Sequence, residues 1–236
     1  MTGHRPPGFL ILFEGRTGST YVVERLASHP HVECAGEWIE LRGGGSAATQ
    51  RAFTDAYYRR RRSRRVRAVG MKSKFRHILD PEAMRTVLAG NGVRIIHLTR
   101  RNLVKWTISG LASMRLHQRL GRSNIRSEDE RLEPFAIAPD SFAHALEVRR
   151  GWQATLDAFL STLPAPPPRF EYEDMLADDE RFFAALHAAI GVEHRPTASR
   201  LIKATPRDVG QLITNLDELR TGYVGTEYEA MFAPDA

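Results

Sequence analysis

The stretch FLILFEGRTGSTY, Phe9 to Tyr21, sets five apolar residues ahead of a glycine-flanked polar turn, followed by what reads as the first turn of a helix. A strand that feeds a glycine-rich turn and a helix makes a cradle for phosphate, because unpaired backbone N–H groups and the positive end of the helix dipole converge there. In the ATP-binding pattern G-x-x-x-x-G-K-[ST] a lysine stands between the last glycine and the hydroxyl residue. Here Gly18 is followed directly by Ser19 and Thr20. The turn is suited to an anion, and the missing lysine asks which anion that is.

Outward from this turn, three further apolar or β-branched runs read as buried strands: Arg67 to Met71, Val93 to Leu98 and Arg169 to Tyr172. Between them lie patterns with 3–4 spacing, clearest at Val148, Trp152, Leu156, Phe159, Leu160 and Leu163, and again at Phe182, Leu186, Ala189 and Ile190. Alternating strands and helices predict a parallel sheet covered on both faces, a three-layer α/β/α arrangement. Asp80-Pro81 reads as a helix start and Gly90 to Gly92 as its end, while the PAPPP run, Pro164 to Pro168, closes the long helix ahead of a strand. GGGSAA at residues 43–48 and the polar segment 121–139 fit neither period and are expected to be mobile loops. In an open α/β sheet the ligand lies outside the carboxyl ends of the strands, so the turns after Phe13, Met71 and Leu98 are the ones to examine.

The chain has 236 residues, the size of one α/β domain, and a single domain over 1–236 is expected. Its one cysteine, Cys34, leaves no internal disulfide and no cysteine-based metal cluster, and suits a reducing compartment as a small buried side chain. The N-terminus MTGHRPPG has no apolar core of a leader, and no apolar run approaches the roughly 18 residues of a membrane span. These features point to a soluble, cytoplasmic protein. The net charge of +6 favours anionic partners. Much of it comes from RRRRSRRVR, Arg59 to Arg67, with seven arginines in nine residues. That run reads as a solvated helix face or as a contact with an anionic acceptor or membrane surface. Nucleic-acid recognition ordinarily adds aromatics or a recognisable module, and neither accompanies it.

A second informative stretch is IIHLTRRNLVKWTIS, Ile95 to Ser109, again a strand entering a helix, with arginines at the junction. Arginine offers a fixed fork of donors suited to phosphate. Arg101 and Ser109 are eight residues apart, just over two helical turns.

RTGSTY, then HPHVECAGEW, then TRRNLVKWTIS together resemble the PAPS-dependent sulfotransferases, particularly the bacterial carbohydrate- and lipid-modifying branches. YEDM (Tyr172 to Met175) and TNLDELRTGYVGTEYEAMF near the end are similar to further family segments. The resemblance implies a P-loop nucleoside-triphosphate-hydrolase-like fold and a donor, 3′-phosphoadenosine 5′-phosphosulfate (PAPS), that leaves as adenosine 3′,5′-bisphosphate (PAP). It also implies that no metal takes part. By it, Arg16, Thr17, Gly18, Ser19, Thr20 and Tyr21 hold the 5′-phosphosulfate, and Arg101 with Ser109 holds the 3′-phosphate. Arg16 and Lys72 are placed to neutralise the transferring and leaving groups. Glu37, in AGEW, matches the carboxylate base of the carbohydrate enzymes, and His77 is the nearest counterpart of the histidine used by the cytosolic branch. The implied acceptor is a hydroxyl on a small molecule, carbohydrate or lipid.

Two rivals remain at this stage. A P-loop small-molecule kinase would share the fold but needs the absent lysine and a magnesium carboxylate. A non-catalytic polyanion binder using Arg59 to Arg67 leaves the two phosphate-like motifs unexplained. His97, inside an apolar strand, reads as a core residue and His29 as a turn residue.

Overall fold

The computed structural model describes residues 3–206 and 208–233. The chain forms two compact units, Met1–Thr99 with Thr155–Ser199, and Arg100–Ala154 with Arg200–Ala236.

The first unit holds the sheet. In chain order it contains β1 (Gly8–Phe13), α1 (Ser19–Ser28), β2 (Val32–Ala35), α2 (Trp38–Gly43), α3 (Ala47–Arg59), β3 (Ala68–Lys74), α4 (Pro81–Gly90) and β4 (Arg94–Thr99). The chain returns to it after the second unit, which contributes α5 (Leu103–Leu120) and the start of α6 (Pro139–Ser161). The end of α6, β5 (Arg169–Glu171), α7 (Tyr172–Ala177) and α8 (Asp179–Ile190) complete the first unit, and α9 (Leu216–Thr221) lies in the second. The strand order is β2-β3-β1-β4-β5, and every pairing is parallel.

Side chains alternate across a strand, and β1 uses both faces of that alternation. Phe9, Ile11 and Phe13 join one apolar cluster with Val22 and Leu26 of α1 and with Phe182, Phe183 and Leu186 of α8. Leu10 and Leu12 join another with Ile39, Met84, Leu88, Leu156 and Leu160. A central strand buried on both sides by helices is the expected α/β arrangement.

All four expected strands lie where the apolar runs place them, with shifted ends. The third-strand run is the one that matters, because β3 continues three residues past Met71 and carries Lys72 and Lys74 within the sheet. The fourth ends a residue early, since Tyr172 opens α7. β2 is an unexpected fifth strand, a four-residue edge whose Glu33 faces solvent. Asp80 caps α4 by accepting from the Ala83 N–H at 3.0 Å, with Pro81 in its first position as expected. α6 begins at Pro139, nine residues before the apolar pattern becomes clear.

The second unit builds its own core from Val104, Trp106 and Ile108 of α5, Phe142 and Leu146 of α6, and Val209, Ile213 and Phe232. Its segment between α5 and α6 is irregular apart from one short turn, Glu128–Glu130. No described helix is long and apolar enough to cross a membrane.

Candidate functional site

β1 ends at Phe13, and the next five residues make the turn before α1. Arg16 takes the left-handed conformation at φ 74°, Gly18 does so at φ 77°, and Thr17 closes the turn by donating its Oγ1–H to the Glu14 carbonyl at 3.0 Å. Gly18 is required twice over. Beyond its positive φ, a Cβ there would stand 2.7 Å from Met175 Cε and 2.9 Å from Tyr172 Cδ2. α7 therefore packs directly on the turn. α1 has no side-chain cap and no acidic residue in its first turn, so nothing from a side chain competes for its leading N–H groups.

The lysine missing from the turn is supplied by the neighbouring strand. Lys72 of β3, 5% exposed, donates to Thr20 Oγ1 at 2.9 Å and to Ser19 Oγ at 3.2 Å, and its ammonium lies 5.1 Å from the centre of the Phe13 ring. Burial lowers its pKa from the usual 10.5, an effect that Glu37 partly offsets. Glu37, at the head of α2, stands 3.5 Å from Lys72 through Oε1 and accepts from Lys74 Nζ at 2.6 Å through Oε2. Burial on its own would raise the Glu37 pKa; the Lys74 hydrogen bond and the charges of Lys72 and Lys74 outweigh it and hold the carboxyl below its usual 4.5.

Three residues of this cluster lie outside the sequence reading. Glu14, 2% exposed at the end of β1, is ion-paired with Arg76, and burial raises its pKa above 4.5 despite that partner. Lys74 and Arg76 flank Gly15, with Lys74 Cε 3.7 Å and an Arg76 guanidinium nitrogen 4.0 Å from where its Cβ would stand. The available signal was K-x-K-x-R at Lys72, Lys74 and Arg76, a strand-period alternation of cations running off β3.

Arg16, Thr17, Gly18, Ser19, Thr20, Lys72 and Glu37 thus belong to one neighbourhood of the first unit. The Tyr21 side chain is engaged elsewhere: its hydroxyl donates to Asp179 at 3.2 Å and accepts from Arg25 at 2.7 Å, tying α1 to α8. His77 forms a separate pair with Glu40 at 2.6 Å. Glu37, Glu40 and His77 bring ligand-type atoms within 4.8 Å of one another, a possible cation set. The two lysines already occupy Glu37, which leaves it poorly suited to a metal ion. His97 is 4% exposed with its pKa lowered to about 4 by burial, and His29 accepts from the His31 N–H at 3.1 Å within its turn, both as expected. Burial pushes the Cys34 thiol up to about 12, that of an inert side chain.

In the second unit, Arg101 is exposed at the bend before α5 and Ser109 is buried on that helix. Asn102 caps α5 by accepting from the Lys105 N–H at 2.8 Å. Beside Ser109, Gly110 has no side chain where a Cβ would meet the guanidinium of Arg149, which explains the close approach of that buried arginine. A cavity of about 580 Å³ in this unit has Asp208, Asp217, Glu229 and Arg220 as its charged lining among the described residues, more acidic than basic.

No family model matches the chain, and no curated protein does. Among solved structures it is similar to a sulfotransferase from Alicyclobacillus acidocaldarius, with 16% identity, 99% of this chain and 98% of that one covered, and a TM-score of 0.51. It is also similar to the sulfotransferase domain of a Synechococcus olefin synthase (16% identity, 97% and 93% covered, TM-score 0.49). A third is mouse sulfotransferase SULT7A1 complexed with PAP (10% identity, 93% and 68% covered, TM-score 0.47). The first of these likenesses shows that the fold is a sulfotransferase fold, an α/β architecture on a parallel sheet.

Proposed function

We propose that the protein transfers a sulfuryl group from 3′-phosphoadenosine 5′-phosphosulfate to a hydroxyl of a small-molecule, carbohydrate or lipid acceptor. The observation that carries this reading is Lys72, whose ammonium sits on the two hydroxyls that open α1. A lysine supplied from β3 gives the turn a cation without the reach along a triphosphate that a P-loop lysine provides. The turn's N–H groups, Ser19 and Thr20 hold the phosphosulfate, while Arg16 and Lys72 balance its charge. Tyr21 contributes its backbone N–H. Arg101 and Ser109 bind the 3′-phosphate, which ATP lacks.

In the reaction the acceptor oxygen forms a bond to sulfur as the bond from sulfur to the 5′-phosphate oxygen breaks, and the bisphosphate leaves with that electron pair. Glu37 takes the acceptor proton. The lysines that depress its basicity in the free protein are the groups that face the donor, so satisfying them with the phosphosulfate returns basicity to Glu37. Charge neutralisation by Arg16 and Lys72 leaves no step that calls for a metal.

The test is binding followed by turnover. Adenosine 3′,5′-bisphosphate at a hundred times its Kd should stabilise the protein by about 2.7 kcal/mol, more than adenosine 5′-phosphate or ATP with magnesium at equal concentration. Arg101→Ala should weaken bisphosphate binding by about 1.5–3 kcal/mol, the worth of a charge-assisted hydrogen bond. Equal affinity for the monophosphate would remove the 3′-phosphate site. Transfer from labelled donor, screened over carbohydrate, lipid and phenolic acceptors, should persist in EDTA, whereas strict dependence on magnesium would favour a kinase.

A further inference from the structure

The arginine run belongs to neither anion site. α3 ends at Arg59, so the run is not a helix face; residues 60–67 form an irregular loop that leads into β3. The cradle lies at the carboxyl ends of β1 and β3, whereas the loop lies at the amino end of β3. Seven residues of strand, roughly 20 Å, separate the two edges.

One arginine of the run is built into the fold and presents the others. Arg62 is 7% exposed; it donates to the Tyr57 carbonyl at 2.8 Å and stands 3.3 Å from Glu33, and its backbone forms an antiparallel bridge with His4. Around it, Arg60, Arg61, Arg64, Arg65 and Arg67 are exposed. Arg61 and Arg65 reach the Gly3 and Pro30 carbonyls, while among the described residues no side chain pairs with Arg60, Arg64 or Arg67. No acidic residue occurs from Ala56 to Leu79. Taking the seven positive charges of the run from the net +6 leaves the rest of the chain at −1, so the chain's net positive excess is carried by the run.

We propose that this loop is a docking surface for an anionic phospholipid membrane, independent of the sulfuryl-transfer site. Adsorption to a charged plane requires accumulated charge near the surface and no matched shape, which is what an irregular arginine loop on a near-neutral body offers. Nucleic acid fits less well. The aromatics adjoining the run are turned inward, with the Tyr57 hydroxyl on the Gly70 carbonyl at 2.8 Å and the Tyr58 hydroxyl on the Phe9 carbonyl at 2.7 Å, so none faces out to stack on a base. No helix presents these arginines to a groove either. Docked through this loop, the first unit turns its cradle edge away from the lipid.

The experiment is sedimentation of the full chain with phosphatidylcholine vesicles containing 30–40% phosphatidylserine, roughly the anionic fraction that gives a strong surface potential, without donor or acceptor. Binding is expected at 0.1 M salt and not to pure phosphatidylcholine. At about fivefold per arginine, Arg60→Gln, Arg64→Gln and Arg67→Gln together should lower partitioning about a hundredfold. A charge-matched control, Arg150→Gln, Arg181→Gln and Arg195→Gln, should stay within about twofold, and both triple variants should keep native bisphosphate affinity. Equal loss in the two triples would show that net charge rather than this loop is responsible. No vesicle binding by the native protein, or binding to duplex DNA tighter than to vesicles at the same salt, would overturn the membrane assignment.

Discussion

At the carboxyl edge of the sheet, Lys72 is enclosed and Lys74 half-buried, each with a carboxylate or hydroxyl in reach, and Arg76 is matched to the buried Glu14. At the amino edge, Arg60, Arg64 and Arg67 stand in water, and among the described arginines of the run Arg62 alone is buried. The same charge is used in two ways. An enclosed cation loses hydration and keeps its place only through fixed partners, so it can meet a ligand in one geometry. An exposed cation contributes through its field, adds to its neighbours and is screened by salt. The first arrangement suits chemistry on a small anion, and the second suits adhesion to a large one.

The strongest way to break this contrast is at Glu37. If Glu37 removes the acceptor proton, Glu37→Gln should lower single-turnover rates by about 10²–10⁴-fold while bisphosphate affinity and melting temperature stay near native. A purely structural carboxylate would instead lower the melting temperature, with residual activity following the folded fraction. Near-native turnover in that variant, alongside collapse in His77→Ala, would transfer the role to the His77–Glu40 pair.

At the other edge the contrast predicts unequal arginines. Arg62→Gln should cost about 1–3 kcal/mol of stability, because it strips buried acceptors of their donor, and Arg60→Gln should stay within about 0.5 kcal/mol. Urea unfolding of both checks this; equal values would mean that the loop has no internal anchor.

The smallest and sharpest test concerns Lys72. Its pKa is lowered on folding, chiefly by burial, so the unfolded chain holds that proton more tightly. A charged Lys72 therefore opposes folding in full at neutral pH, and the penalty fades as pH rises toward 10.5. Lys72→Met should keep or slightly raise the melting temperature at pH 7 and weaken bisphosphate binding about tenfold or more. A marked loss of stability would mean that Lys72 serves the fold first.

The central strand, the turn and its glycine were legible because strong local signals coincide there: five apolar residues, two glycines and a helix start. Lys72 and Glu37 were reachable only through likeness to a family, since nothing local marks a lysine near the end of an apolar strand as turned inward. Glu14 and Arg76 stayed hidden for a related reason. Their pairing joins the end of β1 to the turn after β3 across 62 positions, and a carboxylate at a strand end ordinarily reads as solvated. β2 escaped because a four-residue edge strand with an exposed glutamate lacks both length and a clean period. The arginine run was visible as charge, but which one of its members is buried depends on a bridge to His4 and an ion pair with Glu33, both distant in sequence.

Arg16 holds a further lesson. A residue with a side chain at φ 74° carries a conformational cost on the order of 1 kcal/mol that glycine would avoid and asparagine would reduce. A turn shaped only by the demands of folding would settle on one of those two. On the proposed function, an arginine in that seat gives up backbone comfort for the head group it carries, and this offers a criterion for searching other chains: a cationic residue in a left-handed position between a buried strand and an uncapped helix.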